Sequence, residues 1–389
     1  MTTTELATAS ARIPEVKQAV RVLVVGQTPP PYHGQALMIK MLLEGKMPDV
    51  ELYHVRMAFS DDMNQVGRLQ LGKLIHLAVV ISSIIYYRCR FGIRVLYYPP
   101  AGPNLVPLLR DIAILLSTRW MFAKTVYHFH ASGVSELIGR LPLPLRWLAR
   151  GAMSGPAAAI QLSELTTPDA AALQAQQIFT VPNAAHDDAH RLNFSPRLRQ
   201  ADSLLKVLFL GTVCEGKGVL VLLDACADAI AKGTRIQLDI VGSFQPSEFR
   251  EQVENRIRAA GMQDVVRLWG QQTGEDKWRR FSEVDLFCFP SHYQSEGFPC
   301  VLLEAMCFSL PVISTIWRGI PSIVEHGKTG FLIAPHDHSR LSGYLQSLAE
   351  DAALCLNLGT AGRTRFCEQF TVDKYVMGLR QAFINVGRS

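Results

Sequence analysis

Short apolar runs alternate with longer stretches of helical period along the whole chain. In the first half, VRVLVVG, IRVLYYP (93–99), KTVYHFH (124–130) and AAAIQLS (157–163) predict buried strands. The segments between them are long enough to cross over as helices, the rhythm of a parallel sheet covered on both faces. The second half repeats it, with strands predicted over LKVLFLG (205–211), RIQLDIVG (235–242), VVRLWG (265–270), VDLFCFP (284–290) and PVIST (311–315). Between these, stretches such as SEFREQVENRIRAAG have the period of an amphipathic helix. The stretch HDDAHRLNFSPRLRQADS (186–203) is charged, contains proline and is poor in core residues, so it marks a linker. The expected organisation is a loose leader (1–18), a first domain (19–190), a linker (191–203), a second domain (204–370) and a C-terminal helix (371–389) that crosses back to the first.

Two such α/β units, each Rossmann-like and doubly wound, would face each other across a cleft. Ligands of open α/β sheets bind at the carboxyl ends of the strands, and the informative residues lie just after predicted strands. The strongest pattern is Ser295-Glu296-Gly297-Phe298-Pro299 followed by CVLLEA, with Glu304 inside. Pro299 suits the first turn of a helix, where a missing N–H costs nothing. Gly297 allows a ligand to approach the backbone closely, and the helix start suits a phosphate. Glu296 stands at the mouth of this turn. Glu304 lies roughly 7–8 Å deeper along the helix axis than Pro299. A capped helix with two solvated glutamates is the plain alternative, weakened by the apolar setting of Glu304 in VLLEAM. Lys217, between two glycines in GTVCEGKG (211–218), can reach a pyrophosphate; otherwise it is a surface lysine in a flexible turn. GQTPPPYHG (Gly26–Gly34) is either a rigid ligand loop or an ordinary strand-to-helix connection. His128 and His130 point the same way from one strand, and a cleft-lining or satisfied core pair is the ordinary reading of them.

Length and composition narrow the classes. With 389 residues, 48% hydrophobic and 19% charged, the chain can form two sizeable cores. No Gly-x-Gly-x-x-Gly follows any strand, which argues against a dinucleotide-dependent dehydrogenase. The GKT at Gly327–Thr329 is no phosphate loop, because the upstream glycine position holds Ser322. No Asp-x-Asp occurs to hold a divalent metal on a sugar-nucleotide, so protein groups must neutralise the charge. Eight cysteines without a CxxC read as buried free thiols in a reducing compartment. The first twenty residues carry no signal-peptide pattern. Up to Gln200 there are 20 Lys+Arg against 13 Asp+Glu, a balance of +7; the remainder, 19 against 21, balances to −2. This asymmetry suits contact of the first half with an anionic surface or substrate, or is an ordinary basic surface. The run Leu77 to Tyr87, flanked by Lys73, Arg88, Arg90 and Arg94, is about half a bilayer span. A buried helix is its ordinary reading, and a membrane-touching interfacial helix the sharper one.

Taken together, FPSHYQSEGFPCVLLEAM, PVISTIWRGIPSIVEHGKTGFLI, LGTVCEGKG and VPNA (181–184) resemble glycosyltransferase family 4, of the GT-B fold. The likeness is specific over about 205–335 and looser over 20–185. It implies a retaining, nucleotide-sugar-dependent enzyme with no cofactor and no metal. By this resemblance Glu304 holds the donor ribose and Lys217 faces the diphosphate. Glu296, with the Gly297 and Phe298 amides, contacts the donor sugar. His130 lines the reaction centre from the first domain, and Gly34 belongs to its glycine loop. Gly242 and the segment at Trp269-Gly270 shape the base pocket. The chain departs from the family at Thr212, where an arginine is usual, unless a residue such as Arg318 substitutes, and at Arg318-Gly319 in place of paired glycines.

No first-domain carboxylate presents itself as a nucleophile, so front-face attack by the acceptor hydroxyl, assisted by the leaving diphosphate, is expected over double displacement. The expected partners are a UDP- or GDP-sugar and a glycan acceptor, lipid-diphosphate-linked. An anionic inner-membrane surface is a further partner, and nucleic acid is not. The expected location is cytoplasmic, peripheral at the membrane. The rival readings are a sugar-nucleotide epimerase of the same fold and a non-catalytic sugar-nucleotide-binding protein, the latter favoured by Thr212.

Overall fold

The computed structural model describes residues 19–30, 33–59, 71–196, 198–200 and 203–388. The expected leader and Pro31 and Tyr32 of the proline loop lie outside these residues. Two six-stranded, all-parallel sheets organise the chain. The first contains β1 (Val20–Gly26), β2 (Val50–Arg56), β3 (Val95–Tyr98), β4 (Lys124–His128), β5 (Ala158–Gln161) and β6 (Ile178–Thr180), in the order β2-β1-β3-β4-β5-β6. The second contains β7 (Leu205–Leu210), β8 (Ile236–Val241), β9 (Val266–Gly270), β10 (Leu286–Phe289), β11 (Val312–Thr315) and β12 (Gly330–Ile333). Its order, β12-β11-β10-β7-β8-β9, is that of a doubly wound dinucleotide-type sheet. In that order the direction of winding reverses between β7 and β10. Such a reversal is where ligands of this sheet type bind, at the carboxyl ends of the strands, and both candidate turns follow these two strands.

The inner strands are mostly apolar and buried because helices cover both faces. In β3, Leu96 and Tyr98 enter one core, with helices Leu71–Phe91, Leu105–Thr118 and Leu143–Met153. Val95 and Tyr97 enter the other, with helices Gly34–Glu44 and Val372–Arg388. Helix Val372–Arg388 follows the whole second sheet in sequence yet packs on the first, burying Tyr375, Leu379 and Phe383 and pairing Arg380 with Asp49. The two chain crossings between the sheets lie side by side. Ala185 bridges Thr371 and donates its N–H to the Phe370 carbonyl at 3.0 Å, and Arg363 holds Asp187 by two bonds of 2.7 Å.

The structure corrects two expectations. The run Leu77–Tyr87 is not a buried helix. Val80 and Ile84 enter the core, whereas Val79, Ile85 and Tyr86 stay exposed, because none of the described residues packs on the outer side of helix Leu71–Phe91. All eight cysteines are free, but Cys89 and Cys367 are exposed and only Cys226, Cys288, Cys307 and Cys355 are buried.

Phe383 is fully buried and meets the Tyr97 ring edge-on at 5.5 Å between centroids. Phe383→Ala should therefore cost about 3–5 kcal/mol, read as an earlier first transition in denaturant. An unchanged midpoint would show that the helix contributes little to the first domain.

Candidate active site

Two turns form the floor of the candidate site, one after β7 and one after β10. The first tightens into a single 3-10 turn, Glu215–Lys217, and ends at Gly218 with φ 79°. A side chain at 218 would be strained by that backbone and would also collide with the Pro290 carbonyl. The second turn returns a bond, as the His292 N–H meets the Gly216 carbonyl at 2.8 Å. Seamed together in this way, the turns bring Lys217 to Glu296. The ammonium lies 2.5 Å from Glu296 Oε2, which also accepts from the Ser291 hydroxyl at 2.8 Å. Lys217 Nζ sits over the Tyr293 ring at 4.8 Å, and Glu296 is buried. A few residues on, helix Cys300–Cys307 carries Glu304, whose Oε1 is 2.6 Å from Lys277 Nζ. Each glutamate of the turn is thus neutralised by one lysine.

The first domain closes on this turn through backbone contact. A Cβ at Gly297 would lie 2.7 Å from the His130 carbonyl oxygen, so only glycine lets the two domains approach this far. Asn183 spans the same seam. Its Nδ2 donates to the Phe298 carbonyl at 3.0 Å, which leaves Oδ1 to accept from His130 Nδ1 at 3.2 Å. His130 is therefore the Nδ1–H tautomer, and its Nε2 is a bare acceptor, sealed from solvent and without a partner among the described residues. Burial pushes its pKa down to about 4, so the imidazole is neutral near pH 7. His128 stacks behind it at 4.0 Å and meets the Tyr97 hydroxyl at 2.7 Å.

The structure thus brings together Lys217, Glu296, Gly297, Phe298 and His130, with Glu304 beside them in the same turn-and-helix segment. The other candidate residues stand apart from these contacts. Gly34 opens helix Gly34–Glu44, capped by His33, and faces open space. Gly242 packs backbone to backbone on Gly211 and donates its N–H to the Gly270 carbonyl at 2.8 Å. Trp269 is at the edge strand β9, with the Arg280 guanidinium 4.1 Å over its ring. Arg318, a candidate for the missing diphosphate cation, instead pairs across the domains with Glu136 at 3.0 Å and pulls that carboxyl's pKa down. Sequence reasoning missed Lys277, Ser291 and Asn183. For Lys277 there was a signal: it lies four residues before Phe281, the buried residue of helix Gly274–Ser282, and so on its inner side.

Comparison with known proteins bears on the family likeness and the fold. Residues 191–365 match the family model of glycosyl transferases group 1. The chain is 30% identical over 182 residues to the amylovoran biosynthesis glycosyltransferase AmsK of Erwinia amylovora, covering 46% of this chain and 44% of that one. It is 31% identical over 176 residues to the phosphatidyl-myo-inositol mannosyltransferase of Mycobacterium leprae, 45% of each. The matches thus span less than half the length of these relatives. In fold the chain is similar to Anabaena Alr3699/HepE in complex with UDP, at a TM-score of 0.70 and 16% identity over 94% of this chain and 100% of that one. It is similar too to the sucrose-phosphate synthase of Thermosynechococcus elongatus, at 0.67 and 18% over 94% and 99%. The two facing Rossmann-like domains are the GT-B fold.

The buried His130 makes a pH prediction. Its folded pKa of about 4 lies below the ordinary imidazole value of about 6.5. The stability gained by keeping it neutral is therefore complete above about pH 6.5 and is lost as pH falls towards 4. His130→Asn should flatten the stability curve in that window by roughly one proton, about 1.4 kcal/mol per pH unit. Denaturant titrations at stepped pH measure this, and an unchanged slope would assign the titration to another group.

Proposed function

We propose that the chain is a retaining, metal-independent glycosyltransferase. It moves a sugar from a UDP- or GDP-linked donor to a hydroxyl of a glycan acceptor carried on a lipid diphosphate, in cell-surface polysaccharide assembly at the cytoplasmic face of a membrane. One observation carries this reading: the pairs Lys217–Glu296 and Lys277–Glu304 occupy the switch point of the second sheet, with His130 of the first domain packed against the same turn. The names of relatives point the same way. One acts in amylovoran biosynthesis, another, CapM of Staphylococcus aureus, in capsular polysaccharide biosynthesis, and a third mannosylates a phosphatidyl-inositol.

In this reading the departing diphosphate takes over Lys217 from Glu296, and Glu296 turns to the hydroxyls of the transferred sugar. The amides of Gly297 and Phe298 assist it. Glu304, held by Lys277, accepts from the ribose, and Gly242 and Trp269 border the base. Gly34 leaves room for the donor at the start of its helix. Negative charge grows on the diphosphate as the glycosidic bond breaks, and a lysine already fixed there stabilises it without reorganisation. The bare Nε2 of His130 accepts from a sugar hydroxyl. The leaving diphosphate receives the acceptor's proton on the same face, which retains configuration.

A thermal-shift panel of nucleotide-sugars identifies the donor, because a ligand that binds the folded state raises its stability. With that donor, Glu304→Ala and Lys217→Ala should each lower turnover on the order of a hundredfold; near wild-type kinetics would remove that residue from the site. Activity should survive excess chelator, and loss reversed by magnesium or manganese would overturn metal independence. Conversion of the donor without any acceptor would identify an epimerase, and binding without turnover a non-catalytic partner.

A further inference from the structure

Helices Leu71–Phe91, Leu105–Thr118 and Leu143–Met153 lie side by side on one face of the first sheet, the middle one touching both others. Their inner sides fill one core. Among the described residues nothing covers their outer sides, which carry apolar side chains. Leu74, Ile75 and Tyr86 are exposed on the first helix, and Leu109 and Leu116 on the second. Trp120, in the short turn that follows, is 76% exposed, and Trp147 on the third helix is 80% exposed. Charge on this face has one sign. Residues 74–94 and 141–153 hold five Arg and no Asp or Glu. Residues 105–124 add Arg110, Arg119 and Lys124 against Asp111 alone, which is buried and taken up by Arg110 and the Tyr98 hydroxyl. Arg119 and Lys124 line a cavity of about 460 Å³ beside Trp120.

We propose that this three-helix face docks on an anionic lipid bilayer, lying in the plane of the interface. Apolar side chains, two exposed tryptophans and cations without an accessible acid are the chemistry of that boundary: the rings seat at headgroup depth and the cations meet lipid phosphates. Helix Leu71–Phe91 is long and apolar enough to cross a membrane, with 11% of its apolar window buried. It lies flat all the same, because Val80 and Ile84 belong to the domain core and the Arg88 guanidinium is held by the Met121 carbonyl at 2.7 Å. The face extends to the catalytic end of the sheet. Exposed Leu105 is three residues beyond Gly102, whose backbone abuts Ala131 next to His130. A docked bilayer therefore lies beside the cleft. The inference deepens the proposed lipid-linked acceptor, but its evidence is the surface and not the acceptor.

The test is flotation of the full chain with vesicles of phosphatidylcholine alone or mixed with phosphatidylglycerol, at low and high salt. Binding should require phosphatidylglycerol and weaken with salt. It should fall roughly tenfold or more in Trp120→Glu/Trp147→Glu, and hold in Met377→Glu, an exposed control on the helix that packs the opposite side of the sheet. A second variant, Trp120→Phe/Trp147→Phe, keeps the face apolar. It should still bind, but brominated lipid should quench its emission far less than wild type, since Trp269, Trp278 and Trp317 all lie in the second domain. No binding at low salt, equal binding by the glutamate variant, or equal quenching in the phenylalanine variant overturns the proposal. So does a concentration-dependent dimer that the glutamate variant abolishes, which would make this face a contact between copies. Donor-induced thermal stabilisation in the same samples reports on the transferase reading separately: a donor effect without vesicle binding leaves that reading standing and removes this one.

Discussion

The meeting of the two domains depends on one steric constraint, the backbone of residue 297 lying against the carbonyl of His130. Because no side chain intervenes, the distance between the domains at the site is set by main-chain atoms, which do not swing between rotamers. Asn183 reads both sides of the seam at once and so also fixes which imidazole nitrogen carries the proton. The same device recurs beside it. A side chain at Gly319 would strike the Gly297 carbonyl, as one at Gly218 would strike that of Pro290. A site assembled from backbone contacts holds its side chains to a narrow tolerance, which the proposed chemistry would require.

Charge at the site is handled by pairing. A carboxylate or an ammonium taken out of water alone is costly, and removing one partner of a buried pair leaves the other stranded. Here Lys217 and Lys277, each mostly buried, already have carboxylate partners. Under the proposed function, an incoming diphosphate would replace one anion with another beside a cation that is already desolvated and placed, and the carboxylate it displaces would be free to accept from hydroxyls. His130, by contrast, is kept neutral by burial and adds no further cation to the site.

Much of this was legible in the sequence, and what was missed has physical reasons. The inner strands announced themselves as predominantly apolar runs because both their faces are covered. The strands overlooked, β2, β6 and β12, are all sheet edges. VELYHVR in β2 and IFT in β6 are half-exposed, and β12 is four residues long, so none produces a sustained period. Glu296, Glu304 and Lys217 were found because glycines and a proline marked their turns. Lys277 was not, because its partner is 27 residues away and a lysine in an otherwise charged helix looks solvated. Asn183 reads as a polar residue after a strand until the other domain is present to receive it. The outward face of helix Leu71–Phe91 was undetermined for a similar reason: composition says a segment is apolar, and only its neighbours say what, if anything, covers it.

The packing of helix Val372–Arg388 into the first domain has a consequence for how the molecule comes into being. Synthesis is vectorial, and the strands that this helix covers leave the ribosome long before it does. At roughly 5–20 residues per second, about 10–40 s separate the emergence of Ala185 from that of Phe383. Throughout that interval Val22, Val24 and Tyr97 lack the helix that buries them, while the second sheet, contiguous in sequence, has all its own strands to fold with. The domain made first is thus the one completed last, and the nascent chain carries an open apolar surface through most of its own translation.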